Sequence, residues 1–281
     1  MLDKITAPAI RARKGSVKLA VITAYDAPSA RIADRAGADI ILVGDSLGNA
    51  VLGYDDTLSV TVEIMVRHTA AVARVKPNAL VVGDMPWLSY HLSTSDSVRN
   101  AARFIVEGGA GAVKLEGGRK RLPMVEAILA AEIPVMGHLG LTPQSVHAMG
   151  GFKVQAKLAQ AAAELVEDAR LLAEAGAFAI VLEGIPDVVA DEVTRAIPIP
   201  TIGIGAGPHC DGQVLVFHDV LGLSAGTPPK FVRRYADLGA EATSAVGRFF
   251  DDIRSGAFPS DAETYHMPEA DAREFLAGRR V

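Results

Sequence analysis

A chain of 281 residues that is 49% AVILMFWYC has enough apolar material for one large core, on the scale of a (β/α)8 barrel of about 250 residues. Its net charge of −5 argues against a nucleic acid or an anionic membrane as partner, and no run approaches the roughly 18 apolar residues of a membrane span. Cys210 is the single cysteine, which excludes an internal disulfide and a thiolate metal cluster and fits a reducing, cytoplasmic setting.

In chain order, short apolar runs at about 18–25, 38–44, 79–83, 110–115, 134–139, 177–182, 200–204 and 213–218 read as buried strands. Most stop on a polar residue: Asp26, Asp45, Asp84, Glu116, His138, Glu183 and Asp219. Between the runs lie stretches of helical period. PSARIADRAGA has Pro28 early and stops at Gly37, the usual asymmetry of helix ends. TVEIMVRHTAAVARVK sets Ile64, Met65, His68, Val72 and Val75 roughly on one face, and the alanine-rich stretch from Lys157 stops at Gly176. Strands alternating with helices imply a parallel sheet, and closure of that sheet gathers the strand ends around one mouth. The expected architecture is a single-domain (β/α)8 TIM barrel over 1–281 with a C-terminal helical extension. Segments 46–58 and 140–156 are long loops, expected to cover the site. The tail, Gly256 to Val281, carries Phe258, Tyr265 and Phe275 and reads as a capping helix or an arm onto a neighbouring subunit.

Asp45 and Asp84 end neighbouring strands, and Glu116 ends the next. Hard carboxylates without a nearby thiol suit an oxygen-liganded cation such as Mg²⁺. The alternative for each aspartate is a helix cap. Lys114 lies two residues before Glu116 and so faces the same side of its strand. It is a candidate for binding a substrate carboxylate, for a Schiff-base nucleophile, or for a structural ion pair with Glu116. His138 shares the mouth, and Glu183 is the candidate base. GIGAGPHCDG at 203–212 lacks the Lys-Ser/Thr of a P-loop and reads as a tight turn or a weak phosphate loop, with Cys210 structural.

At these residues the chain resembles a known family. TAYD (23–26), ILVGDSLG (41–48), GDMPW (83–87), VKLEGG (113–118), GHLGLTPQ (137–144), GGFKVQ (150–155), VLEGIP (181–186) and TIGIGAGPHCDGQVLVFHDVLG (201–222) together resemble the 3-methyl-2-oxobutanoate hydroxymethyltransferases. The match runs from about Ile22 to Leu223 and resumes at FPSDAETY (258–265). The resemblance implies a barrel of the phosphoenolpyruvate/pyruvate superfamily, assembled as a homodecamer of two pentameric rings. It implies hydroxymethyl transfer from 5,10-methylenetetrahydrofolate to 3-methyl-2-oxobutanoate, giving 2-dehydropantoate for pantothenate synthesis. By position, Asp45 and Asp84 match the Mg²⁺ ligands and Glu116 the acid beside them. Ser46 and Lys114 match residues that hold the keto acid, with Asp45, Asp84 and His138 lining the same substrate pocket, and Glu183 matches the proposed base. Three other readings compete: a related Mg²⁺-dependent 2-oxo-acid lyase, a class I aldolase acting through Lys114, and a non-enzymatic oligomeric scaffold.

Overall fold

The structure is a computed structural model that describes residues 4–151 and 153–279. Met1–Asp3, Phe152, Arg280 and Val281, which belong to the expected domain, the GGFKVQ motif and the tail, lie outside the described residues. Eight strands form one closed parallel barrel in sequence order. They are β1 (Leu19–Thr23), β2 (Ile40–Val43), β3 (Leu80–Asp84), β4 (Ala112–Glu116), β5 (Val135–Gly140), β6 (Ala179–Glu183), β7 (Thr201–Ile204) and β8 (Gly212–Val216). Each lies on one of the apolar runs. The helices are α1 (Ala7–Arg11), α2 (Ala27–Arg35), α3 (Leu47–Ala50), α4 (Val62–Ala73), α5 (Thr94–Val106) and α6 (Leu122–Ala130), then α7 (Val146–Met149), α8 (Ala159–Ala175), α9 (Asp187–Ala196), α10 (Phe217–Val220), α11 (Leu238–Ser255) and α12 (Glu269–Ala277). Among the described residues no helix is long and apolar enough to cross a membrane.

Alternation along each strand builds two cores. Leu19, Val21, Ile40, Leu42, Leu80, Val82, Ala112, Met136, Ala179 and Val181 fill the barrel interior, and Ile10 of α1 joins them to plug one end. The intervening Ile41, Val81, Val113, Val135 and Ile180 face the helices. The period of two that turns Leu80 and Val82 inward also turns Asp84 inward at the other end, and it does the same for Lys114 and Glu116 after Ala112. The functional end of the barrel is thus set by the same alternation that packs its centre.

Local capping starts the helices where the strands stop. Asp26 is the N-cap of α2, in a capping box with Ser29 and with proline in the first turn. Thr61 and Ser93 cap α4 and α5 through backbone N–H groups, each worth on the order of 1 kcal/mol. In α4 the buried side is Met65, Val66, Thr69 and Val72, while Ile64, His68 and Val75 are only partly buried. α8 ends at Gly176 in the left-handed region, as its sequence suggests.

Two features add to the sequence reading. The glycine-rich run turns at the mouth end of β7, where Gly205 and Gly207 have positive φ, and then crosses to the start of β8. Its Asp211 end lies at the opposite end of the barrel, where its carbonyl accepts the Leu19 N–H and its carboxylate the Lys14 ammonium. Cys210 is buried there, away from the mouth. Upstream of the tail from Gly256, α11 also buries none of its residues. Correspondingly, Ala20, Ile22, Gln213 and Leu215 on the outside of β1 and β8 line an apolar groove of about 340 Å³.

Candidate active site

Strand register brings the predicted residues together in pairs. Asp84 on β3 stands opposite Lys114 on β4, and the ammonium donates to Asp84 Oδ1 at 2.5 Å. Lys114 is 4.0 Å from Glu116 Oε1, so its principal partner is Asp84 rather than Glu116. Glu116 stands opposite His138 on β5, with Nδ1 3.2 Å from Glu116 Oε1. The other imidazole nitrogen is 3.2 Å from Glu183 Oε2 at the end of β6; both contacts are ion-pair distances, off line for hydrogen bonds. Asp45, just past β2, donates its backbone N–H to Asp84 Oδ2 at 3.3 Å. Its side chain caps no helix, whereas Asp26 does. Asp45, Asp84, Lys114, Glu116, His138 and Glu183 therefore form one continuous arc from β2 to β6.

The neighbouring positions are held from outside the arc. Ser46 Oγ shares a 2.8 Å hydrogen bond with the Tyr25 hydroxyl, and the Tyr25 carbonyl lies 2.7 Å from His68 Nδ1. Asp219 accepts a hydrogen bond from Ser224 and takes no part in the arc.

The arc is an unusual concentration of buried charge. Asp45, Asp84, Lys114, Glu116 and His138 are all buried, while 17% of the Glu183 side chain is exposed. Burial, then the Asp84 and Glu116 charges, push the Asp45 carboxyl well above the usual range. Burial also raises Asp84, against the pull of Lys114. Burial opposes ionisation of Glu116 too, but His138 and Lys114 outweigh it and hold that acid low. For Lys114, burial is overcome by Asp84, Glu116 and Asp45, which fix it as an ammonium. His138 is pushed up to about 9: burial and Lys114 work against the imidazolium, and the two flanking glutamates win.

Asp45, Asp84 and Glu116 supply hard oxygen donors. No three His, Cys, Asp or Glu side chains among the described residues form a ready-made metal cage. Mg²⁺ does not require one, since it is held by one or two carboxylates with water and substrate oxygens completing its shell. A dication would also offset the burial that raises the Asp45 and Asp84 carboxyls, favouring their ionised form. The residues present fit such an ion.

Two buried residues here carry no signal in the strand-end pattern. Tyr90 lies in the loop after β3, and Gln144 in the long segment after β5. Gln144 Nε2 donates to Asp45 Oδ2 at 2.9 Å, and its Oε1 accepts from the Tyr90 hydroxyl at 2.5 Å. Gln144 does fall inside GHLGLTPQ and the loop expected to cover the mouth.

A parallel eight-stranded barrel with acids, a lysine and a histidine at the ends of its middle strands is the scaffold of an enzyme whose site sits at the mouth. The ketopantoate hydroxymethyltransferase family model matches residues 4–261. The 3-methyl-2-oxobutanoate hydroxymethyltransferase of Syntrophobacter fumaroxidans is 55% identical over 274 residues, 98% of this chain and 97% of that protein. Its counterpart in Koribacter versatilis is 56% identical over 248 residues, 88% and 84% of the two chains. The chain belongs to the ketopantoate hydroxymethyltransferase family, a family of transferases. Among solved structures, phosphoenolpyruvate phosphomutase from Streptomyces platensis superposes with a TM-score of 0.58 at 18% identity, covering 97% and 96% of the two chains. A 2,3-dimethylmalate lyase does so with 0.56 at 17%, covering 94% of each. At such identities these two speak to the fold alone.

Proposed function

We propose that this protein transfers a hydroxymethyl group from 5,10-methylenetetrahydrofolate to 3-methyl-2-oxobutanoate, consuming one water and giving 2-dehydropantoate for pantothenate synthesis. The observation that carries the reading is the arc itself: an ammonium set among buried acids, with a candidate base at the β6 end, in a chain of this family. Mg²⁺ held by Asp45 and Asp84, with Glu116 beside them, would supply Lewis acidity toward the 2-oxo acid. Ser46 and Lys114 bind the keto acid, and the fixed Lys114 charge opposes negative charge as it develops on oxygen. Glu183, the most accessible acid of the arc, takes the C3 proton. His138 stands against that carboxylate and lines the same pocket. The folate supplies the one-carbon electrophile.

The aldolase reading needs a neutral Lys114 amine, and the three surrounding carboxylates hold that group charged. Folate-dependent formation of 2-dehydropantoate, followed by mass spectrometry and abolished by a chelator, is the expected result. Cleavage of a 2-hydroxy acid without folate would favour the lyase reading instead.

The proposed working form is a cytoplasmic homodecamer with no nucleic-acid or membrane partner. Support for assembly comes from α11, where Val246, Phe249, Phe250 and Ile253 are all 44–49% exposed. Their spacing of i, i+3, i+4 and i+7 makes one apolar stripe on a helix that buries none of its residues.

A further inference from the structure

A carboxylate can turn about its terminal bond, so a cation site built from three strand ends needs something to fix which oxygen each acid presents. Gln144 fixes two of the three. Its Nε2 donates to Asp45 Oδ2 at 2.9 Å and to the Met85 carbonyl at 3.0 Å. Its backbone N–H donates to Glu116 Oε2 at 3.1 Å. The amide is locked in turn, because Oε1 accepts the Tyr90 hydroxyl at 2.5 Å and that hydroxyl accepts the Glu116 N–H at 3.1 Å. A flipped amide would face its oxygen toward a carboxylate and a carbonyl and its NH₂ toward the tyrosine hydroxyl, losing two donated bonds. Only one orientation satisfies every partner. Asp45 keeps Oδ1 free of this network, while Glu116 Oε1 is left facing His138 at 3.2 Å.

We propose that Gln144, locked by Tyr90, is the positioning residue that sets the Asp45 and Glu116 carboxylates for a divalent cation; this rests on the metal reading above. Outer partners of this kind are worth about 10–100-fold in metal affinity. Because Gln144 lies on the long connection after β5, the same contact fastens that loop to the metal side of the mouth.

The test is calorimetric titration of the full-length protein with Mn²⁺, comparing wild type, Gln144→Met, Tyr90→Phe and the double variant. Gln144→Met keeps the side-chain length and removes the side-chain donors, and Mn²⁺ affinity should fall by about 10–100-fold. Tyr90→Phe should weaken binding less, and adding it to Gln144→Met should cost less than it does alone, since its hold on Asp45 runs through the amide while its contact with Glu116 is to the backbone N–H. The Mg²⁺ concentration for half-maximal rate should rise while the rate at saturating Mg²⁺ recovers toward wild type, which a purely structural defect would not produce. Wild-type Mn²⁺ affinity in Gln144→Met overturns the proposal, as do independent, additive losses in the double variant. If Gln144→Met does not fold, Tyr90→Phe decides alone, and unchanged affinity in it overturns the proposal. A wild-type protein that binds no Mn²⁺ overturns the metal reading and this inference with it.

Discussion

His138 has a glutamate on either side, and that placement makes its charge a stability device. Its pKa is raised to about 9 because Glu116 and Glu183 outweigh burial and Lys114. An unfolded histidine titrates near 6.5, roughly. The folded state therefore binds the extra proton more tightly, so the stabilisation is complete below the unfolded value and fades as pH rises through about 9. Urea unfolding of the metal-free protein should show stability declining between neutral pH and that range, and His138→Gln should flatten the decline. Equal slopes in the two proteins would remove the imidazolium from the account. The acids behave oppositely toward a cation. Asp45 and Asp84 are raised by burial, so they resist ionising without one. Mg²⁺ at a hundred times its dissociation constant should stabilise the fold by about 2.7 kcal/mol, and a chelator should reverse the gain.

The position of Glu183 depends on how β5 leaves the barrel. Gly140, paired with Glu183, has φ +96°, and a Cβ there would come within 2.2 Å of the Glu183 carbonyl oxygen. Gly140→Ala should cost on the order of 3 kcal/mol and slow proton removal at C3, because the strand end that carries the base must move. Gly53 is the control: it has φ +72°, and nothing lies within 4 Å of where a methyl group would sit. Gly53→Ala should therefore cost about 1 kcal/mol and leave C3 exchange unchanged. Thermal unfolding and exchange rates measured on both variants separate backbone strain from displacement of the base. The strands themselves are legible in the sequence, because runs buried on both faces are continuously apolar and stop abruptly at Asp84, Glu116 or Glu183. The link between Tyr90 and Gln144 is not, since it joins residues 54 positions apart through a contact that no local period encodes. Nor is the β7–β8 crossover, whose glycines read the same in a turn, a phosphate loop or a connection.

For the whole molecule, the closed barrel leaves two apolar surfaces exposed. The outer face of β1 and β8 is an open apolar groove, and α11 carries an apolar stripe that stays exposed, with Phe249 meeting Phe258 edge-on. An amphipathic helix has the same pattern whether it faces its own core or another copy, so the period of α11 does not reveal in the sequence what it packs against. Phe249→Asp with Phe250→Asp should lower the molar mass in light scattering while leaving the barrel's circular dichroism intact. An unchanged mass would take α11 out of the assembly.

The most direct measurement is exchange of the C3 proton of 3-methyl-2-oxobutanoate in D₂O, followed by NMR without folate. The wild-type protein with Mg²⁺ should exchange it. Glu183→Gln should slow exchange by about 10²–10⁴-fold, the usual contribution of a positioned base. Exchange at the wild-type rate in Glu183→Gln would contradict the central claim, that the arc ending on Glu183 generates the carbon nucleophile.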